Sequence, residues 1–77
     1  MKMISISGLQ MALIEKQKRG AASFLHDASI TIKGKDVTID LANFFFKDQL
    51  DADKNRKAIS DILEKYISDH KLILTCK

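Results

Sequence analysis

Apolar and polar residues alternate strictly over residues 29–41, on both sides of the dipeptide Gly34-Lys35. The apolar positions are Ile30, Ile32, Val37, Ile39 and Leu41. Such alternation is typical of strands with one buried face, and glycine at the first position of a two-residue loop is what a type II′ turn requires. The pattern therefore predicts a β-hairpin in which Lys33 pairs with Asp36 and Thr31 pairs with Thr38.

Helical patterns flank this hairpin. Ser7 and Gln10 have the spacing of a capping box, which predicts a first helix over residues 8–25. Gly20 is unfavourable inside it, so we expect the helix to divide near Gly20 or to pack closely against another element there. After the hairpin, Asn43 is a good N-cap for a short helix that begins with three phenylalanines.

The clearest amphipathic pattern begins at Asp51 or Asp53 and ends near residues 69–70. Its apolar stripe consists of Ala58, Ile59, Ile62, Leu63, Tyr66 and Ile67. The apolar residues 72–76 that follow are compatible with a third strand. We therefore predict an α+β fold of the order α-β-β-α-α-β, in which helices pack on one face of a three-stranded sheet.

The chain has 77 residues and a net charge of +3, which predicts a single small domain with a mildly basic surface. Cys76 is the only cysteine, which excludes an internal disulfide framework and favours a reducing cytoplasm. The N-terminus lacks the pattern of a signal peptide, and no apolar run approaches the about 20 residues of a membrane helix. We expect no membrane association.

The run Phe44-Phe45-Phe46 cannot be buried as a whole, because three consecutive helical residues spread over about 200° of arc. Phe46 shares its face with Leu50, so Phe44 and Phe45 are the candidates for exposure. An exposed phenylalanine can be tolerated in a monomer or can act as an anchor for a partner. Both interpretations stay open at this stage.

Three basic residues cluster on the predicted first helix, at Lys16, Lys18 and Arg19. A solvated helix face explains them simply, because surfaces that bind nucleic acid usually concentrate more positive charge. The alternative is a patch that contacts phosphates.

No motif predicts catalysis, a cofactor or a metal. His26 and His70 lack a second ligand at helical spacing, and residues 51–55 copy only the start of a calcium-binding loop. Glycine-rich phosphate loops are absent from the sequence. We therefore expect a binding module and not an enzyme, with no cofactor, no metal and no small-molecule substrate.

The order of elements is that of K-homology nucleic-acid-binding domains, which clamp the nucleic-acid backbone with a G-x-x-G loop. Neither Gly20 nor Gly34 begins such a motif. Residues 25–76 resemble more closely the C-terminal domain of the tau subunit of bacterial DNA polymerase III and the related N-terminal domain of DnaA. The segments that carry this resemblance are FLHDASITIKGKDVTIDL, NFFFKDQL, AISDILEKYI and KLILTC. The tryptophan common in the first helix of these domains is absent.

The resemblance implies a K-homology-like interaction domain that is a fragment of a larger chain. Its role would be in DNA replication, as a tether between the clamp loader and the polymerase catalytic subunit or the helicase. Partner contacts are expected at Phe44 and Phe45, with a secondary contribution from Lys16, Lys18 and Arg19. The alternative is a single-stranded nucleic-acid binder, in which those basic residues hold phosphates and a phenylalanine stacks on bases.

Overall fold

A computed structural model describes residues 4–76 of the chain. Its elements, in chain order, are α1 Ile6–Glu15, α2 Arg19–Ser23, β1 Ser29–Lys33, β2 Asp36–Leu41, α3 Phe44–Leu50, α4 Asp53–Glu64 and β3 Lys71–Cys76. The α+β class and the order of elements are confirmed, except that the predicted first helix is two helices.

The hairpin has the predicted register. Lys33 pairs with Asp36 and Thr31 with Thr38, without a bulge. At the turn, Gly34 has a φ of +60°, and Lys35 has no positive φ. A positive φ at the first loop position alone is the signature of a type II′ turn, since a type I′ turn needs it at both.

The third strand lies beside β2 and runs parallel to it, so that the sheet is mixed, with the order β1-β2-β3. A parallel neighbour requires a long crossover, and α3 and α4 supply it. Lys71 opens the pairing by donating its backbone N–H to the Lys35 carbonyl at 2.8 Å.

The helices cover one face of this sheet. The buried core draws on every element except β1, whose isoleucines are only half-buried. The fully buried large side chains are Leu9, Leu13, Leu25, Val37, Ile39, Leu41, Leu50, Ile59 and Leu63. The opposite face is mostly polar, with Thr31, Thr38 and Ile73 side by side across the three strands.

The first helix begins earlier than the sequence suggests. Ser5, and not Ser7, is the N-cap, and its hydroxyl accepts a hydrogen bond from the Gly8 amide at 3.1 Å. Gln10 does not complete a capping box, because its side-chain amide donates instead to the Ala22 carbonyl. This bond ties α1 to α2.

The first helix also divides before Gly20. The Lys18 amide bonds to the Leu13 carbonyl and the Gln17 amide to the Ile14 carbonyl, which together form a Schellman motif. Gln17 takes the left-handed conformation that this motif needs, with a φ of 62°. A Cβ atom at Gly20 would meet nothing within 4 Å, so close packing does not explain that glycine.

The amphipathic helix α4 is shorter than predicted and ends at Glu64. Tyr66 and Ile67 therefore belong to the turn that follows, although Ile67 still packs against the core. Within residues 4–76, no helix has the length and apolar character needed to cross a membrane.

Candidate functional site

The three phenylalanines of α3 divide as their helical spacing requires. The Asn43 side chain accepts a hydrogen bond from the Phe46 amide at 2.9 Å and so fixes the first turn. Phe46 then packs against the core, whereas Phe44 and Phe45 are 66% and 60% exposed. The structure thus leaves exposed the two residues that the sequence singled out as contact candidates.

The exposed rings do not stand alone. Phe24, just after α2, lies 6.0 Å from Phe45 and 5.6 Å from Phe46 between ring centroids, and Phe45 lies 6.1 Å from Phe46. These are distances at which aromatic pairs stabilise each other. We call Phe24, Phe44, Phe45 and Phe46 the aromatic surface. Contacts with Phe24 connect Phe45 and Phe46 of α3 to the end of α2, whereas Phe44 takes part in none of these ring pairs.

A positive charge borders this surface. The Lys47 ammonium lies 5.8 Å from the centroid of the Phe44 ring, within the range of a cation–π interaction. An apolar patch with a cation at its rim suits a ligand that combines apolar side chains with negative charge.

The predicted basic cluster is only partly brought together. Lys16 and Lys18 line a shallow depression of about 300 Å³ with Lys54 and Lys57 of α4. We call these four residues the lysine cluster. None of them is in an ion pair with another residue of the described chain, and Asp61 is the one carboxylate that lines the depression.

Arg19 lies elsewhere. It lines a wider groove of about 580 Å³ between α1 and α2, together with Met11 and Ile14. The structure therefore places Arg19 in a different depression from Lys16 and Lys18, although Arg19 directly follows Lys18 in the chain. Met11 is 65% exposed, which gives the molecule a second apolar surface that the sequence reading did not identify.

The loop between α3 and α4 occupies the place where K-homology domains hold their phosphate clamp. Here it consists of Asp51 and Ala52 and contains no glycine. Asp51 accepts a 3.0 Å hydrogen bond from the Arg56 guanidinium. Because the loop lacks the glycines of a G-x-x-G motif, it does not match the phosphate clamp of K-homology domains.

The buried side chain of His70 forms a partly buried network that the sequence did not reveal. Its side chain is 2% exposed, with Nε2 at 2.9 Å from the Ser60 hydroxyl and Nδ1 at 2.8 Å from a Glu64 carboxylate oxygen. Nδ1 also lies 3.2 Å from the Ile67 carbonyl. Because Nδ1 faces two acceptors, it carries a hydrogen.

Ser60, His70 and Glu64 have the order of a nucleophile, a base and an orienting carboxylate. However, Ser60 lies inside α4, where backbone amides already bond to helical carbonyls, so its own amide cannot form an oxyanion hole. We interpret the network as structural: it holds the turn of residues 65–70 against α4.

Glu64 also supports this turn through the backbone. Its second carboxylate oxygen accepts a hydrogen bond from the Asp69 amide at 3.0 Å. This bond, with a smaller contribution from His70, holds the pKa of Glu64 below its usual range. Asp69 itself is held with a φ of 58°.

Over residues 4–76, His, Cys, Asp and Glu side chains form no group of three that could hold a metal ion. His70 lies beside Glu64, while His26 lies 3.3 Å from Asp27 at the exposed surface.

Comparison with protein families, curated proteins and solved structures finds no match to the chain.

Proposed function

We propose that this domain is a protein-binding module that docks its partner on the aromatic surface. The observation that carries the proposal is the exposure of Phe44 and Phe45 on a rigid support. Aromatic side chains dominate the binding energy of protein interfaces, and a preorganised surface loses little entropy on binding.

The partner that suits this surface presents apolar side chains near acidic ones. Lys47 beside Phe44 supplies a local cation, and the whole chain carries a net charge of +3. The apolar contact provides most of the affinity, while the charges orient the partner and speed its association.

The resemblance to the tau C-terminal domain supplies the first partners to test, which are the polymerase catalytic subunit and the replicative helicase. In this proposal the domain tethers one of them within the replication machinery and catalyses no reaction. We expect this binding to persist at high salt, because an apolar contact is only weakly screened.

The test compares two bait proteins in binding assays with purified polymerase catalytic subunit and helicase. Phe44→Ser combined with Phe45→Ser should abolish binding. Met11→Ser is the matched control, because Met11 is as exposed as Phe44 but lies on the other apolar groove. Equal binding by both variants would refute the role of the aromatic surface. Failure of the unmodified domain to bind either protein would refute the proposed partners.

The lysine cluster favours a second candidate function, which is binding of single-stranded nucleic acid. Four unpaired ammonium groups from two separate segments can contact consecutive phosphates. Lys54 and Lys57 extend the basic pair Lys16 and Lys18 that the sequence indicated. In this mode an exposed phenylalanine would stack on a base.

Salt dependence separates the two functions. Fluorescence anisotropy with labelled oligodeoxythymidine measures the binding constant at several salt concentrations. The slope of its logarithm against the logarithm of the salt concentration should decrease in magnitude by about 0.7 for each phosphate contact removed. Lys54→Gln with Lys57→Gln should reduce the slope, whereas Lys65→Gln with Lys71→Gln, outside the cluster, should not. Absence of binding at low salt would exclude this candidate.

A further inference from the structure

Strand β1 forms an open edge of the sheet. Among residues 4–76, it pairs only with β2, over five consecutive residue pairs without a bulge. It also contains no proline, and its only charged residue, Lys33, is at its end. Edge strands usually avoid pairing with another chain through bulges, prolines and charged side chains. Of these features, β1 has only the charge of Lys33 at its end.

The turn determines which backbone groups of β1 are free. In a two-residue hairpin the residues that flank the loop, Lys33 and Asp36, form a hydrogen-bonded pair. Hydrogen-bonded pairs then alternate, so Thr31 bonds to Thr38. The N–H and C=O groups of Ile30 and Ile32 point away from β2, and no hydrogen bond to another described residue satisfies them.

The other edge of the sheet is different. The guanidinium of Arg56 donates to the Leu72 carbonyl at 2.6 Å and occupies an outward-facing acceptor of β3. Within residues 4–76, no side chain donates to the outward-facing carbonyls of Ile30 and Ile32 in β1. The β3 edge is therefore partly covered by a side chain of α4, whereas the β1 edge is open over the described residues.

We propose that β1 pairs with β1 of a second copy of this chain, antiparallel, about a twofold axis at Thr31. In this register Ile30 lies opposite Ile32 of the second copy, and Ile32 lies opposite its Ile30. Both outward-facing residues of each strand then exchange both of their backbone hydrogen bonds. A shift of the register by two residues would leave either Ile30 or Ile32 without a partner residue in the opposite strand.

The side chains fit the same register. The half-buried isoleucines of the two copies meet on the helix-covered face, where each covers apolar surface of the other. On the polar face, Thr31 lies opposite Thr31 of the second copy, and Ser29 lies opposite its Lys33. No like charges therefore face each other across the pairing. The product is a continuous six-stranded sheet with a symmetric, self-complementary centre.

Charge substitutions at Thr31 test this register, because only this pairing places Thr31 opposite itself. Thr31→Lys and Thr31→Glu each place like charges across the axis, and each should weaken self-association at least about tenfold. An equimolar mixture of the two should restore association as a heterodimer, detected by native mass spectrometry. Sedimentation velocity over a concentration series measures self-association of the unmodified chain.

Thr38→Lys is the matched control, because Thr38 lies on the same polar face but on the central strand. It should associate like the unmodified chain, and circular dichroism checks that each variant is folded. A chain that stays monomeric at every concentration would overturn the proposal. So would Thr31→Lys protein that associates as well as Thr38→Lys protein, or a mixture that forms no heterodimer.

Discussion

Phe24 meets the ring of Phe45 edge-on, with the ring planes at 81°. The contact joins the end of α2 to the first turn of α3, two segments separated by the whole hairpin. Because of it, the exposed aromatic surface is part of the folded structure and not a loose appendage of one helix.

The three phenylalanines of α3 should differ in their effect on stability. Phe46→Ala removes core packing and should cost up to about 3 kcal/mol, whereas Phe44→Ala should cost less than about 1 kcal/mol. Phe45→Ala should lie between, because it loses its edge contact with Phe24. Urea unfolding of the three variants checks this order, and equal losses would contradict the division between exposed and packed rings.

Replacement of Gln17 by glycine should stabilise the protein by about 1 kcal/mol, because glycine takes the left-handed conformation without a steric penalty. Lys16→Gly is the matched control, since Lys16 has a φ of −83°. The control should lose stability in the same urea titrations. A loss with Gln17→Gly would mean that the Gln17 side chain makes a compensating contribution.

Alanine at Gly20 should raise the free energy of unfolding by about 0.5 to 1 kcal/mol, because the new methyl group meets open space within α2. Gly34→Ala should instead destabilise the hairpin, since Gly34 has a φ of +60°. Thermal melts of the two variants should therefore shift in opposite directions. A shift of both melting temperatures in the same direction would show that backbone conformation does not determine the effect of alanine on stability.

The contribution of Glu64 should depend on pH. Its pKa is lower in the folded protein than the ordinary 4.5, so the unfolded state binds more protons in this range. The stabilisation is complete above the ordinary value and disappears as the pH falls through the lowered one. The difference in stability between the unmodified protein and Glu64→Gln should therefore shrink in acid.

Urea unfolding between about pH 3 and about pH 7 measures this difference. Glu15→Gln is the control, because Glu15 is exposed and makes no ion pair within the described chain. A constant difference for Glu64→Gln across the range would show that its carboxylate charge does not stabilise the turn.

Local interactions explain why the hairpin and α3 could be predicted. The register of β1 and β2 follows from the alternation and from Gly34, and the exposure of Phe44 and Phe45 follows from helical geometry and Asn43. These signals lie within a few residues of the features that they specify.

The remaining features depend on distant or atypical residues. The first helix divides near Gly20, as one of the two expectations has it, but the break is formed at Gln17, which takes a conformation that glycine usually provides. Lys54 and Lys57 join Lys16 only because α1 packs against α4. No pattern along the chain predicts such a juxtaposition, and the same holds for the bond between Ser60 and His70.

The hydrogen bond from Arg56 to Leu72 has a consequence for the size of any assembly. If both edges of the sheet were open, strands of successive copies could add without limit and form fibres. With the Leu72 carbonyl occupied, a strand that pairs at the β3 edge forms one backbone hydrogen bond fewer or must displace the guanidinium, which disfavours addition beyond two copies. The guanidinium thereby favours a finite complex over a growing polymer.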